Sequence, residues 1–138
     1  MFDKRVIILM LGLTACSGSK LTYCERRIEP FVDEIVLSSH FNIVDAITIS
    51  STINLDYIDA KEETIEDYIK SNQKVIDKYS NIELFNNYIV KTQRYILDEM
   101  NRDEIEKYVT KTTCDNCYVD YRKTIQYLTY QGFYCGNQ

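Results

Sequence analysis

The 138-residue chain has no tryptophan, one histidine, one proline and four glycines. So little proline and glycine excludes a collagen-like or low-complexity chain, and an apolar content of 45% excludes a disordered one. Basic residues are also few, since the chain has 16 of them against 21 acidic residues. We therefore expect no nucleic-acid partner, because such a partner needs clustered positive charge. With His40 alone and no glycine-rich loop, we predict no enzyme, no cofactor and no metal site.

The first sixteen residues contain the features of an export signal in the usual order. Lys4 and Arg5 precede the apolar run Val6–Leu13, which is too short to span a bilayer as a helix. The run ends in the segment Leu13-Thr14-Ala15-Cys16. This segment resembles the lipobox of bacterial lipoproteins, in which a cysteine follows leucine, a variable residue and alanine or glycine. The alternatives are an uncleaved N-terminal anchor and a buried strand with a chance cysteine.

The resemblance implies cleavage before Cys16 and acylation of that cysteine, for example with palmitate. Two or three acyl chains would hold the protein on a membrane, since each buried methylene contributes about 0.8 kcal/mol. Because Ser17 and not aspartate follows the cysteine, the resemblance also implies transfer to the outer membrane, facing the periplasm. We therefore expect a signal peptide over 1–15, a lipidated cysteine and flexible stalk over 16–20, and a periplasmic domain over 21–138.

Four further cysteines occur in the chain: Cys24, Cys114, Cys117 and Cys135. An even number in an exported chain indicates disulfides. A helix predicted over 116–130 would be about 21 Å long, which separates Cys117 from Cys135, whereas bonded cysteines have Cα atoms about 5.5 Å apart. We therefore rank first the pairs Cys24–Cys135 and Cys114–Cys117. The alternative joins Cys24 to one of Cys114 and Cys117, and Cys135 to the other.

The body of the chain is predicted as a single all-α bundle of four or five helices, stapled by disulfides. Three segments have the residue pattern of a capping box, namely Asp59–Glu62, Ser80–Glu83 and Asn101–Glu104. Apolar residues follow each segment at helical spacing. Short linkers between long helices favour antiparallel neighbours.

The two ends of this domain are predicted by weaker patterns. Apolar residues over 28–36 favour a helix, and the last helix, over 116–130, is expected to stop at Gly132. Residues 47–57 alternate apolar and polar side chains, which is typical of a strand. A short strand there and a helix from about Ile43 are both left open, because no partner strand is predicted.

Tyrosines are the most distinctive content of the final segment. The chain has twelve tyrosines, and Tyr127, Tyr130 and Tyr134 follow one another at intervals of three and four residues. On one helix these three would share a face. They either pack at the edge of the core with their hydroxyls in water or form a protein-binding face, where tyrosine is enriched.

Together these features predict an outer-membrane lipoprotein whose helical periplasmic domain binds another envelope protein of unknown identity. A small helical lipoprotein of this kind resembles the pilotins, which seat the secretin ring of a secretion or pilus system. The alternatives are an immunity lipoprotein, whose acidity would suit a basic toxin, and a surface-exclusion lipoprotein. A thiol oxidoreductase using Cys114 and Cys117, or a hydrolase using His40, is the enzymatic alternative.

Overall fold

The computed structural model describes residues 19–75, 78–101, 103–105, 114–115 and 118–137. Within these residues eight strands form one antiparallel sheet. The strands are β1 (Lys20–Ile28), β2 (Phe31–His40), β3 (Ile43–Asn54), β4 (Ser80–Phe85), β5 (Tyr88–Ile96), β6 (Cys114–Asp115), β7 (Tyr118–Asp120) and β8 (Tyr134–Asn137). The helices are α1 (Glu62–Val75) and α2 (Tyr121–Tyr130), and short 3-10 turns cover Leu55–Tyr57 and Leu97–Glu99.

The strands lie in the order β4-β5-β3-β2-β1-β8. The long strands β1, β2 and β3 follow one another as a meander, and β5 pairs with the other side of β3. The short strand β7 pairs with Ile43 and Val44 at the start of β3, and β6 pairs with β7. The chain therefore brings its last strand, β8, back beside its first described strand, β1.

Tight turns connect the hairpins without glycine. Glu29 and Pro30, joined by a cis peptide bond, link β1 to β2. Phe41 and Asn42 link β2 to β3 with φ values of 53° and 73°, which match the positive φ values of a type I′ hairpin turn. Asn86, at φ 52°, opens the turn between β4 and β5. Asparagine tolerates this left-handed region better than most residues do.

One face of the sheet packs against α2 and the turns around it. This helix-covered face takes one side chain from each strand in register, such as Cys24, Ile35 and Ile49. Its core contains the buried residues Cys24, Ile35, Leu37, Val44, Ile47, Tyr95, Leu97, Met100, Ile105, Val119, Leu128 and Phe133. Burial of these side chains is the main stabilising term of the domain.

The opposite face of the sheet has a different composition. Val36 and Ala46 form a small apolar cluster there, with Tyr23 and Leu21 packed against it. The register places a row of buried polar side chains beside this cluster: Glu34, Ser38, Thr48, Ser50 and Thr52. The oxygens of Ser38 and Thr48 find no hydrogen-bond partner among the described residues.

The prediction of an all-α bundle is wrong, and so is the helix predicted over 28–36. That segment forms the end of β1, the turn and the first half of β2. In β2 the buried residues Val32 and Val36 point to one face, while Ile35 and Leu37 point to the other. A strand buried on both faces shows a continuous apolar run instead of alternation. Such a run also matches helical spacing, and that similarity misled the prediction.

The second predicted capping box, Ser80–Glu83, is wrong for a related reason. It begins β4, and the apolar residues after it belong to the hairpin of β4 and β5. The third box, Asn101–Glu104, is confirmed, because each residue's backbone N–H donates to the other's side chain. The predicted helix after Asp59 is present as α1, but the box Asp59–Glu62 does not cap it: the helix begins at Glu62, and the Ile65 N–H donates to the carbonyl of Lys61. Of the two alternatives for 47–57, the strand is the right one as far as Asn54, with β2 and β5 as its partners, and Leu55–Tyr57 form a 3-10 turn.

The last helix is shorter than predicted. It begins at Tyr121 and not at residue 116, with Asp120 as its N-cap accepting a hydrogen bond from the backbone N–H of Lys123. Its last turn closes where Gly132 takes a φ of 91°, a left-handed conformation that favours glycine. The predicted stop at Gly132 is therefore confirmed, and Tyr134 lies beyond the helix, in β8.

Candidate functional site

A disulfide links β8, the outer strand of the sheet, to the neighbouring strand β1. Cys24 and Cys135 lie opposite each other in the β1–β8 ladder and are bonded. This pairing is the one ranked first from the sequence, but strand register brings it about, and not the length of a helix. Cys114 lies in β6, whereas Cys117 lies outside the described residues, so their pairing stays a prediction.

The two strands joined by this disulfide end at different places. The β8 ladder stops at the pair Glu25 and Tyr134, while β1 continues to Ile28. The segment Arg26–Ile28 therefore has no partner in β8. We call this step in the sheet edge the notch, defined by Arg26–Ile28 and the facing turn Gln131–Gly132.

Arg26 builds the inner wall of the notch. Its guanidinium donates to the backbone oxygen of Gln131 at 3.0 Å and to the carboxylate of Asp33 at 2.8 Å. It also lies over the ring of Phe133, 4.5 Å from the ring centre, a cation–π contact. The Cδ of Arg26 lies 3.6 Å from where a Cβ on Gly132 would stand. One side chain thus ties the end of α2 to β1 and β2.

An open cavity of about 510 Å³ lies at the notch. It is lined by Glu25, Arg26, Arg27, Ile28, Gln131, Gly132 and Tyr134. Two of these side chains are apolar or aromatic and mostly in solvent, since Ile28 is 65% exposed and Tyr134 is 89% exposed. Large exposed side chains beside an unpaired strand edge are typical of a surface that a partner covers.

The charged side chains at the notch are paired, with two arginines against three carboxylates. Arg27 lies between the carboxylates of Glu25 and Glu29, at 3.3 and 3.2 Å. The hydrogen bond that Arg27 donates to Glu29 is the largest cause that raises the pKa of its guanidinium above the ordinary value. Burial opposes this rise, and the hydrogen bond that Arg27 donates to Glu25 adds to it. Because these ions are already paired, the notch favours backbone and apolar contacts over a strongly charged ligand.

The three tyrosines predicted as a binding face are all exposed, but they do not share one helical face. Tyr127 is 41% exposed and Tyr130 87% exposed on α2. Tyr134 lies in β8, on the far side of the turn that closes the notch. The helix ends at Tyr130, so the spacing of four residues to Tyr134 no longer means one face. Tyr130 and Tyr134 instead flank the turn Gln131–Gly132.

The remaining residues singled out by the sequence lie elsewhere. His40 ends β2, and its ring contacts the ring of Phe41 with centres 4.4 Å apart. The predicted lipidation site, Cys16, and the predicted signal peptide over 1–15 lie outside the described residues. Arg26 is the residue that the sequence analysis missed, and its role depends on contacts with residues more than a hundred positions away.

The described part of the chain contains no group of three or more His, Cys, Asp or Glu residues placed to hold a metal ion. Over the same ranges, no helix has both the length and the apolarity to cross a membrane. No protein-family model, curated protein or solved structure matches the chain.

Proposed function

We propose that this protein is a membrane-anchored lipoprotein whose β-sheet domain binds another envelope protein at the notch and its flanking tyrosines. The observation that carries the proposal is the open edge at Arg26–Ile28, with Tyr130 and Tyr134 exposed beside it. The earlier likeness to pilotins rested on a helical architecture, and the sheet removes that basis. The anchor is proposed from the Leu13–Cys16 segment alone.

An unpaired strand edge can accept an extended peptide of a partner as an additional strand. Backbone hydrogen bonds to β1 would supply affinity, because the missing continuation of β8 leaves one side of Arg26–Ile28 without a ladder in the described residues. Ile28 and the two tyrosines would supply specificity. Tyrosine is enriched at binding hot spots, since its large, rigid ring loses little entropy on contact.

The direction of the strands supports this use of the notch. From Lys20 to Ile28 strand β1 rises about 26 Å, at 3.3 Å per residue. The proposed anchor, Cys16, precedes Lys20 by four residues. The notch is therefore at the end of the domain away from the anchor, where a partner can reach it.

Affinity capture with the full-length tagged protein from envelope extracts tests the proposal. The Tyr134→Ser and Tyr130→Ser variants should each reduce capture of the same partner, by about 30-fold where the tyrosine is a hot spot worth about 2 kcal/mol. Tyr68→Ser is the matched control, because Tyr68 is 45% exposed on α1. Equal capture by all three variants would contradict the site. For the anchor, Cys16→Ala should abolish lipid labelling, and unchanged labelling would contradict it.

A further inference from the structure

The other end of the sheet has its own exposed surface. The turn between β2 and β3 carries Phe41, which is 87% exposed, and it is followed by Ile43, which is 43% exposed. The ring of Phe41 contacts only the edge of His40 among the ring contacts of the described residues. A bulky aromatic side chain at φ 53° on a turn is unusual. We call the surface formed by Phe41 and Ile43 together with Lys20, Arg122 and Lys123 the turn surface.

Three basic residues belong to the segments that meet at the Phe41–Asn42 turn. The backbone N–H of Tyr121 donates to the carbonyl of Asn42 at 3.0 Å, and that of Arg122 donates to the Asn42 side chain at 3.2 Å. The ammonium of Lys20 lies 5.1 Å from the centre of the Tyr121 ring. Lys20, Arg122 and Lys123 are all exposed at this end.

Two acidic residues near the Phe41–Asn42 turn, Asp45 and Asp120, accept hydrogen bonds. One carboxylate oxygen of Asp45 accepts from the hydroxyl of Ser19 at 2.9 Å. Asp120 accepts from the Asn42 side chain at 3.1 Å and from the backbone N–H of Lys123 at 2.9 Å. Both side chains are partly buried. The three exposed basic residues at this end thus outnumber these two partly buried carboxylates, although the whole chain has a formal charge of −5.

The position of the N-terminal segment indicates which structure the turn surface can contact. Ser19 is fixed at this end by its bond to Asp45, and the proposed lipidated Cys16 precedes Ser19 by three residues, a span of at most about 11 Å. A lipid on Cys16 would place the turn surface within reach of the bilayer. An exposed aromatic ring flanked by lysine and arginine is suited to the membrane interface, where aromatic and basic side chains are favoured.

We propose that the turn surface (Lys20, Phe41, Ile43, Arg122 and Lys123) docks on a phospholipid bilayer that contains anionic headgroups. This inference rests on the proposed anchor. Phe41 and Ile43 enter the interface, and the three basic residues contact headgroup phosphates. Docking at this end orients the domain so that the notch points away from the bilayer.

Fluorescence of the full-length lipidated protein in vesicles tests this docking. The chain has no tryptophan, so Phe41→Trp introduces a single reporter, and Phe31→Trp is the matched control at the other end of β2. In vesicles of phosphatidylcholine with phosphatidylglycerol, the tryptophan at 41 should emit at shorter wavelength and be quenched by brominated lipid. The tryptophan at 31, whose native phenylalanine is 49% exposed, should do neither.

Substitution of the basic side chains distinguishes docking of the turn surface from simple attachment through the lipid on Cys16. In the Phe41→Trp background, Arg122→Gln and Lys123→Gln should each lower the ratio of docked to undocked protein about fivefold on anionic vesicles, which is the effect of about 1 kcal/mol per basic residue. Equal quenching at 41 and 31 in protein that stays with the vesicles would overturn the docking and leave the anchor intact. Protein that does not stay with the vesicles would overturn both. Neither readout depends on a partner at the notch.

Discussion

Cys24 and Cys135 lie opposite each other across the β1–β8 ladder and are bonded, although 111 residues separate them in the chain. The bond joins the first and last described strands and holds β8 at the place where the notch begins. The four-residue strand β8 pairs with β1, so the bond also reinforces a short ladder. The stability of the domain and the shape of the proposed binding surface therefore depend on the same pair.

We expect the double variant Cys24→Ser and Cys135→Ser to unfold more easily than the unchanged protein. Cross-linking a loop of about 100 residues stabilises a fold by about 4.7 kcal/mol in the chain-entropy model. Urea unfolding followed by circular dichroism measures the difference, and substitution leaves Cys114 and Cys117 untouched, unlike chemical reduction. A decrease in the free energy of unfolding of less than about 0.5 kcal/mol would show that this disulfide does not stabilise the edge formed by β1 and β8.

Replacing the buried hydroxyl of Thr48 should stabilise the protein. Thr48 is 1% exposed, and its hydroxyl oxygen has no hydrogen-bond partner among the described residues. Thr48→Val removes the cost of burying that group, for an expected gain of about 1 kcal/mol. The matched control is Thr124→Val, because the Thr124 hydroxyl donates to the carbonyl of Asp120 at 2.7 Å.

The control should lose about 1 kcal/mol, because its hydrogen bond is removed and the Asp120 carbonyl loses a donor. Both values come from urea unfolding at one temperature. A loss of stability in Thr48→Val would mean that its hydroxyl has a partner, such as a bound water, and would contradict the expectation.

Acid should weaken the contact between Glu104 and the turn after α1. The Lys78 ammonium, at 2.7 Å, is the largest cause that lowers the pKa of Glu104, followed by the Tyr79 hydroxyl and the backbone N–H of Asn101. Together they lower it from 4.5 to about 2. A carboxylate with a lowered pKa contributes stability that is fully present above pH 4.5 and is lost as the pH falls to about 2.

The Glu104→Gln variant should therefore show a weaker fall in stability between pH 4.5 and pH 2 than the unchanged protein. Lys78→Gln removes the leading cause of the shift and should also flatten the curve. Thermal unfolding across this range measures both. Identical slopes in all three proteins would contradict the assignment.

The sequence allowed prediction of the local features of the fold but not of the pairing of its strands. The helix after Asp59 and the box Asn101–Glu104 were found because caps and helical spacing act within a few residues. The hairpins were missed because their turns use Phe41-Asn42 and Asn86-Asn87 where glycine is more usual.

The candidate site, too, could be predicted only in part. The tyrosines and the pair Cys24–Cys135 could be chosen from the sequence, because residue type and count carried the argument. Arg26 and the notch could not, since both arise from the register of β8 on β1 and from contacts between distant segments. Nothing local at Arg26 distinguishes it from Arg27 beside it.

Photo-crosslinking in living cells tests the central claim most directly. A photoreactive phenylalanine derivative at position 134, in the full-length protein, should form a covalent adduct with one envelope protein on irradiation, and mass spectrometry identifies it. The same derivative at position 68, on α1, should give no such adduct. A partner crosslinked equally from both positions, or from position 68 alone, would contradict binding at the notch.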